Sequence, residues 1–226
     1  VAIKMPRQNN EEQFEKEVRH MMRLHHDNII RLLGWAYFRN GPGMVLEYAQ
    51  NGTLHSLVHG ESKNASPSQS TSSATDTCTQ YLLSQHVLHR DLAARNCLLT
   101  GDDDGTDDDR LLVKISDFGM SRTLYADYYR LQELRWLAPE SLLGGRFTHH
   151  SDMWAFGVLL WEIFSHAQVR FTSAPLKHHV LQVPHAHLSN EEVLAAAATR
   201  SPATPIDGPV ADSPAEVRTL MRQCWQ

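Results

Sequence analysis

The chain has 226 residues, 42% of them apolar, so it can bury a substantial core as one domain or two small ones. The formal net charge is −5, but six aspartates lie in the loop GDDDGTDDD, so the rest of the chain is nearly neutral and indicates no nucleic-acid partner. Three cysteines without paired or metal-like spacing argue against a disulfide framework and favour a reducing compartment.

Apolar spacing near the N-terminus predicts one helix, from Asn10 to Leu24. Asn10 is in position to cap this helix, with Gln13 reaching back to the cap. Three apolar residues fall on one stripe, and Glu17 lies beside them. The stripe consists of Phe14, Val18 and Met21.

Two strands are predicted next, at Ile29 to Tyr37 and at Met44 to Tyr48. The sequence Asn40-Gly41-Pro42-Gly43 between them is typical of a turn. We therefore expect a small sheet with one helix in the N-terminal part of the chain.

The C-terminal part is expected to be helical. The stretch from Ser151 to Phe164 is apolar almost all round, and only Asp152, Gly157 and Glu162 interrupt it. It is too short to span a bilayer and therefore predicts a helix buried in the middle of a helical lobe.

Two further helices are predicted near the C-terminus. Ser189 caps toward Glu192 at the start of an alanine-rich helix. Ser213-Pro214-Ala215-Glu216 is typical of a capping box with proline in the first turn. The helix that follows carries an apolar stripe made of Val217, Leu220, Met221 and Cys224. A small β-rich lobe followed by a larger helical lobe makes the predicted fold class α+β.

Four motifs carry the candidate chemistry. HRDLAARN runs from His89 to Asn96 and is followed by the triad Asp117-Phe118-Gly119. Together they supply a carboxylate base, an amide and a second carboxylate in the order that phosphoryl transfer from ATP requires. VAIK at Val1 to Lys4 and RWLAPE at Arg135 to Glu140 agree with this interpretation.

These motifs resemble those of protein tyrosine kinases. HRDLAARN, with Arg95 two places after Ala93, is the tyrosine-kinase form, whereas serine/threonine kinases usually carry lysine at position 93. Trp136 ahead of Ala138-Pro139-Glu140 favours the same branch, which leaves a serine/threonine kinase as the weaker reading. Further blocks resemble receptor tyrosine kinases of the insulin-receptor, Ros and anaplastic-lymphoma-kinase type. They are NCLLT, DFGMSR, LLWEIFS, SNEEVL and QCW.

The resemblance implies a two-lobed kinase fold over residues 1–226. The N-lobe is expected at about 1–48, the hinge at about 47–52 and the C-lobe at about 53–226. Within this domain, two segments are expected to be disordered insertions, namely 61–80 and 101–110.

The resemblance also implies roles in ATP-dependent phosphoryl transfer. Lys4 would hold the α- and β-phosphates, and Glu17 would pair with Lys4. Asp91 would accept or orient the tyrosine hydroxyl, while Arg95 would support substrate and phosphate. The implied Mg²⁺ ligands are Asn96 and Asp117.

The nucleotide is expected to contact the segment after the second strand. Leu46 has the gatekeeper position by its spacing from His26 and Gly34, and Glu47-Tyr48-Ala49 would be the hinge whose backbone binds adenine. The ATP-binding residues implied here are Leu46, Glu47 and Ala49. A stack of side chains would join helix, sheet and magnesium loop. Its members are Met21, Leu32, His89 and Phe118.

A tyrosine cluster at Tyr125, Tyr128 and Tyr129 resembles the autophosphorylation sites of receptor kinases, although these tyrosines could also simply pack. The implied partners are ATP and proteins containing tyrosine, with self-association through receptor dimerisation. The expected location is the cytoplasmic side of the plasma membrane, as part of a receptor, or alternatively the cytoplasm. No window of the sequence has the length and apolar purity of a transmembrane helix.

Several segments depart from the family pattern. No glycine-rich phosphate lid precedes VAIK, and Glu61 to Gln80 is rich in Ser and Thr and contains no Leu, Ile, Val, Phe or Met. The latter segment replaces a long buried helix, so we expect the helix at Ser151 to Phe164 to be poorly covered and the lobe to be poorly stable. The acceptor segment between Arg130 and Arg135 is short. Two hypotheses follow: an active tyrosine kinase, or a pseudokinase that acts as a kinase-fold scaffold.

Overall fold

The structure is a computed structural model, and it describes residues 1–6, 11–58, 69–101, 111–118, 133–169, 184–185, 188–199 and 213–226. Predictions that fall between these ranges lie outside the described residues. They include the Asn10 cap, the Tyr125, Tyr128 and Tyr129 cluster, and the segments 61–68 and 102–110.

The N-terminal sheet has three antiparallel strands in the order β1-β3-β2. They are β1 (Ala2–Lys4), β2 (Leu32–Phe38) and β3 (Gly41–Leu46). Helix α1 (Glu11–Met21) contacts β2 and carries the predicted apolar stripe. Phe14 and Met21 are buried, and Val18 is partly buried against the same core. The predicted small sheet with one helix is confirmed.

The hairpin between β2 and β3 is tighter than predicted. Its turn consists of Arg39 and Asn40, and β3 already begins at Gly41, whose φ of +114° is accessible mainly to glycine. Pro42 therefore lies inside a strand, opposite Tyr37, but the pairing of β1 with β3 does not extend that far. Proline is tolerated there because, among the described residues, no strand pairs with Pro42 on its second side and needs its missing N–H.

The residues ahead of β2 join the two lobes instead of starting the strand at position 29. Ile29 makes an isolated parallel bridge with Ile115. Ile30 donates its N–H to the Ile115 carbonyl oxygen at 2.9 Å, and the Ile115 N–H reaches the Asn28 carbonyl oxygen at 2.8 Å. All three isoleucines are buried, so apolar packing reinforces this connection.

Two helices precede the HRDLAARN motif, whose residues His89 to Asn96 are called the catalytic loop below. They are α2 (Leu54–Val58) and α3 (Gln69–Ser84). The prediction of a disordered insertion over 61–80 is wrong from Gln69 onward. The buried stripe of α3 consists mainly of small side chains. Its described members are Thr75, Cys78 and Thr79, followed by the larger Leu82. The Thr79 hydroxyl donates to the Thr75 carbonyl oxygen at 2.8 Å, so its burial leaves no unpaired hydroxyl donor.

A two-stranded antiparallel sheet follows the catalytic-loop motif. It consists of β4 (Cys97–Gly101) and β5 (Leu111–Ile115), with Cys97 opposite Ile115 and Gly101 opposite Leu111. The two strands lie in the sequence on either side of the aspartate-rich loop.

Helix α5 (His149–Val169) follows the short helix α4 (Pro139–Gly144) and is longer at both ends than predicted. It packs against α3 and against the last helix, α7 (Ala215–Cys224). The prediction that this helix is poorly covered is therefore wrong. The apolar residues that it buries are Ala155, Phe156, Val158, Leu159, Leu160, Trp161 and Ile163.

The two C-terminal helices begin in different ways. Helix α6 (Asn190–Ala198) has the predicted capping box, in which Ser189 Oγ accepts the Glu192 N–H at 3.2 Å and the Glu192 carboxylate accepts the Ser189 N–H at 2.7 Å. The capping box predicted for α7 is wrong, because Pro214 is the N-cap and no side chain caps this end. Ser213 is buried, and its carbonyl oxygen accepts a hydrogen bond from the Arg218 guanidinium.

The apolar stripe of α7 is confirmed, since Met221 and Cys224 are buried and Val217 and Leu220 pack partly buried against the core. The two-lobed α+β fold class is also confirmed by a small antiparallel sheet with one helix followed by a mainly helical part. None of the helices in the described part of the chain has both the length and the apolar character needed to cross a membrane.

Gly157 lies at the contact between α5 and α7, and we expect Gly157→Ala to destabilise the protein. A Cβ at this position would lie 2.5 Å from Trp225 Nε1 and 2.8 Å from Cys224 Cβ. Overpacking of this kind costs about 1–3 kcal/mol. It opposes a gain of roughly 1 kcal/mol in helix propensity. The measurement is the urea midpoint of unfolding, which should fall.

Gly144→Ala is the matched control, because a Cβ at that position in α4 would meet Arg146 Nε at 3.5 Å, an ordinary contact. Its midpoint should equal or slightly exceed that of the unchanged protein, because the gain in helix propensity is not opposed there. A Gly157→Ala protein as stable as this control would contradict the close approach of α7.

Candidate active site

Lys4 lies between two carboxylates that come from distant parts of the chain. Its Nζ is 2.6 Å from Glu17 Oε1 on α1 and 2.8 Å from Asp117 Oδ1, two residues after β5. Burial alone would lower the pKa of Lys4, but the charges of Asp117 and Glu17 outweigh this effect and raise it. The ammonium therefore stays charged at neutral pH.

Glu17 is the buried member of this group. Burial raises the pKa of its carboxyl, although the ammonium of Lys4 opposes this shift. A carboxylate removed from water needs a charged partner, so the contact with Lys4 fixes the position of α1 relative to β1.

Asp117 is held in place by its neighbours in the chain. Its φ of +62° is in the left-handed region, which residues other than glycine adopt infrequently. The ring of Phe118 is fully buried and meets the His89 ring edge to face, with 4.9 Å between centroids. The His89 ring nitrogen Nε2 also contacts the Ser116 carbonyl oxygen at 3.0 Å. Residues on both sides of Asp117 are therefore anchored to the catalytic loop.

The predicted stack is assembled from buried or partly buried side chains. Met21, His89 and Phe118 are buried, and Leu32 packs partly buried against the same core. Through these contacts α1, the sheet and the Asp117 segment share one core.

The Asp91 carboxylate is oriented by two side chains that follow it closely. Arg95 Nη2 lies 2.6 Å from Asp91 Oδ1, and Asn96 Nδ2 lies 2.8 Å from Asp91 Oδ2. A 3₁₀ turn at Ala94–Asn96 brings both groups back toward Asp91. Asp91 is buried, so these contacts define the direction of its oxygens.

Asn96 has one side-chain atom left for another partner. Its Nδ2 also donates to the Asp91 carbonyl oxygen at 2.7 Å, which directs the amide nitrogen toward Asp91 and leaves the amide oxygen for a cation. Its own carbonyl oxygen accepts both the N–H and the Oγ–H of Ser116, at 2.8 and 2.9 Å. Ser116 precedes Asp117, so an amide oxygen and a carboxylate are supplied from joined segments. Such hard oxygen ligands fit Mg²⁺.

The predicted hinge follows β3. The Glu47 N–H donates to the Arg31 carbonyl oxygen at 3.0 Å, so of its backbone groups only the carbonyl oxygen can be offered to adenine. The Glu47 carboxylate accepts the Arg31 N–H at 2.7 Å and lies 3.0 Å from Lys114 Nζ. Leu46 and Ala49 are partly buried against the core on either side.

Two buried carboxylates of α5 contact the catalytic loop, and the sequence prediction assigned them no function. Asp152 accepts the N–H groups of His89 at 2.7 Å and Arg90 at 2.8 Å. Glu162 Oε2 accepts the Ala94 N–H and the Trp136 Nε1–H, both at 2.9 Å. The available signal was an acidic residue inside an almost wholly apolar helix, which indicates a buried carboxyl with specific partners.

Burial raises the pKa of both carboxyls. The pKa of Glu162 reaches about 7, although Trp136, Ala94 and Arg95 all favour its ionised form. Burial also raises the pKa of Asp152, against the effects of His89 and the Arg90 N–H. Both carboxyls therefore keep their protons to a higher pH than exposed acids do.

Comparison with known proteins supports the interpretation of these motifs. The family model described as protein tyrosine and serine/threonine kinase matches residues 1–226. The tyrosine-protein kinase transmembrane receptor Ror of Drosophila melanogaster is 35% identical, over 100% of this chain and 31% of the receptor. The transforming tyrosine-protein kinase ros of UR2 avian sarcoma virus is 37% identical, over 94% of this chain and 52% of that protein.

The NT-3 growth factor receptor of Sus scrofa is 34% identical, over 100% of this chain and 27% of the receptor. The chain thus spans between about a quarter and a half of the length of these relatives. The resemblance that the motifs predicted is confirmed, with a Ros-type kinase among these relatives.

We expect Glu162→Gln to change stability in a pH-dependent way. The folded protein releases the Glu162 proton near pH 7, whereas an unperturbed glutamate releases it near 4.5. Between these values unfolding releases a proton, so the contribution of Glu162 to stability falls as pH rises. As the pH rises from about 4.5 to about 7, the free energy of unfolding of Glu162→Gln should therefore increase relative to that of the unchanged protein.

Urea denaturation of both proteins at pH 5 and at pH 8 measures this difference. Glu191→Gln makes the same chemical change at an exposed position of α6 and should shift stability equally at both pH values. A difference for Glu162→Gln that does not vary with pH would contradict the raised pKa.

Proposed function

This chain belongs to the family of protein tyrosine and serine/threonine kinases, and on that premise we propose that it transfers the γ-phosphoryl group of ATP to tyrosine hydroxyls of proteins. The observation that carries the proposal is the position of Lys4, which contacts both Glu17 and Asp117. A charged ammonium is thereby joined to the helix of the small lobe and to a candidate metal ligand. Protein kinases need the lysine–glutamate ion pair and a metal-binding aspartate in place for transfer.

Phosphoryl transfer depends mainly on the positioning and neutralisation of anionic oxygens. Lys4 is suited to bind the phosphates of ATP because its pKa is raised and its ammonium remains charged. Glu17 holds the ammonium from the side of α1. When bound, Mg²⁺ neutralises charge on the phosphates, and Asn96 and Asp117 are the residues that would hold it.

Asp91 is placed to accept or orient the proton of the acceptor hydroxyl. Arg95 and Asn96 each hold one of its carboxylate oxygens, which restricts rotation of the side chain. A base must keep a defined direction toward the hydroxyl that it activates. Ala93 stands where serine/threonine kinases usually carry lysine, which supports tyrosine as the acceptor.

The relatives support a wider proposal about the whole protein. Ror and the NT-3 growth factor receptor are named as receptors, and Ror as a transmembrane one. We propose that this chain is the kinase domain of a receptor, that it acts on the cytoplasmic side of the plasma membrane and that dimerisation brings two copies together. Autophosphorylation at Tyr125, Tyr128 and Tyr129 would then order the segment after Asp117 through arginine contacts.

The central prediction concerns Asp91→Asn. The protein, expressed from its complete coding sequence, should phosphorylate a poly(Glu,Tyr) peptide in the presence of Mg²⁺ and ATP. Replacing the carboxylate by an amide removes the proton acceptor, so kcat should fall by about 100-fold or more. Asp27→Asn, at an exposed position, is the matched control and should retain activity.

Three outcomes separate the hypotheses. Loss of turnover in Asp91→Asn alone supports the kinase. An unchanged protein that binds a partner without any turnover favours the kinase-fold scaffold. Phosphorylation of serine or threonine peptides in preference to poly(Glu,Tyr) favours the other kinase branch.

A further prediction concerns the tyrosine cluster. After incubation with Mg²⁺ and ATP, mass spectrometry should find phosphate on Tyr125, Tyr128 or Tyr129, and none on these residues in Asp91→Asn. Tyr37 and Tyr48 are internal controls, because their side chains are 76% and 63% exposed and should nevertheless remain unmodified. Phosphate on the controls alone would rule out the cluster as the preferred site.

A further inference from the structure

Glu162 joins two segments that are far apart in the chain. One carboxylate oxygen, Oε2, accepts the backbone N–H of Ala94 in the catalytic loop and the indole N–H of Trp136. Both donors belong to segments that carry kinase motifs, and Glu162 itself lies in the buried centre of α5.

Trp136 continues this connection to the proposed base. The Arg95 guanidinium carbon lies 4.9 Å from the centroid of the Trp136 ring, which is a cation–π contact. Arg95 in turn donates to Asp91 Oδ1 at 2.6 Å. Glu162 holds the edge of the indole, and the face of the indole supports the arginine that orients Asp91.

The 3₁₀ turn that carries Trp136, Glu133–Trp136, is anchored on its other side as well. The Arg135 guanidinium donates to the carbonyl oxygens of Pro184 and Leu188, at 2.9 and 2.7 Å, and to Asn190 Oδ1 at 3.2 Å. These groups lie at or just before the start of α6. The turn is therefore held between α5 and α6, and Trp136 has little freedom to move independently of either helix.

A purely structural role explains this arrangement poorly. Burying a carboxyl destabilises the fold unless its partners compensate, and an apolar side chain would fill the same volume in α5 without this cost. The polar partners at Oε2 are N–H groups of the two functional segments. The oxygen thus sets a distance between them that an apolar residue could not set.

We propose that Glu162 is a positioning residue that couples the segment leading into Ala138-Pro139-Glu140, through Trp136 and Arg95, to the orientation of Asp91. This inference rests on the proposed tyrosine kinase activity. A displacement of the acceptor segment would reach Asp91 by this route without any change at Lys4.

Three substitutions separate the steps. Trp136→Phe keeps a ring beneath Arg95 and removes only the donor to Glu162. Glu162→Leu removes the acceptor oxygen at similar volume, whereas Glu162→Gln keeps one oxygen for the two donors. Trp35→Phe on β2 and Glu216→Gln at an exposed position of α7 are the matched controls, because both residues lie outside this connection.

With poly(Glu,Tyr) as acceptor, kcat should fall about tenfold in Glu162→Leu and in Trp136→Phe. Glu162→Gln should recover most of this loss. The KM for ATP should stay within about twofold, because the contacts of Lys4 are not touched. Combining Trp136→Phe with Glu162→Leu should lower kcat little further, since both interrupt the same connection. Additive losses, or a loss confined to the KM for ATP, would overturn the inference.

Hydrogen exchange supplies a readout that does not need turnover. Trp136→Phe should speed exchange in a peptide covering 89–96 more than in a reference peptide covering 215–224. Equal acceleration in both peptides would indicate a general loss of stability and would overturn the inference, as would no acceleration in 89–96. Absence of turnover in the unchanged protein would defeat the proposed function, and the exchange result alone would then decide the role of Glu162.

Discussion

The catalytic loop is supported by two carboxylates of one buried helix, and the rest of the site depends on this support. Asp152 and Glu162 of α5 together accept four N–H groups, from His89, Arg90, Ala94 and Trp136. These donors span the loop that carries Asp91 and reach the next motif. Because α5 is enclosed by α3 and α7, it cannot shift without disturbing the core. The hydrogen bonds to this buried helix therefore hold the loop in a fixed position.

The small lobe reaches this support by two routes of different physical character. One is apolar and hydrogen-bonded, where Ile30 and Asn28 exchange backbone hydrogen bonds with Ile115 in β5. The other is electrostatic, where Lys4 bridges Glu17 and Asp117. Apolar burial does not depend on the direction of the contact, whereas two carboxylate partners fix the direction of a charged group. The first route thus holds the lobes together, and the second defines where the ammonium points.

The motif residues could be placed from the sequence because each motif is short and its geometry is local. Arg95 and Asn96 lie in a 3₁₀ turn that begins three residues after Asp91, so their spacing brings both side chains to its carboxylate. The prediction of disorder was wrong for residues 69–80 because their composition, rich in Ser and Thr, resembles that of disordered chains. Threonine hydroxyls that bond their own helix can nevertheless be buried, as Thr79 shows. The capping box predicted at the start of α7 was wrong because Ser213 is buried and Pro214 is the N-cap.

Helices α3 and α5 illustrate why buried polar groups were the hardest part to predict. In α3 the Thr79 hydroxyl is paired within the helix, so its polar character carries no information about other segments. In α5 the carboxylates are paired with N–H groups from distant motifs, and their partners appear only once the chain is folded. A polar residue satisfied locally can be exchanged for an apolar one at little cost, whereas one satisfied at long range leaves unpaired donors behind. The acidic residues of an otherwise apolar helix therefore connect the packed core to the segments that carry the candidate active site.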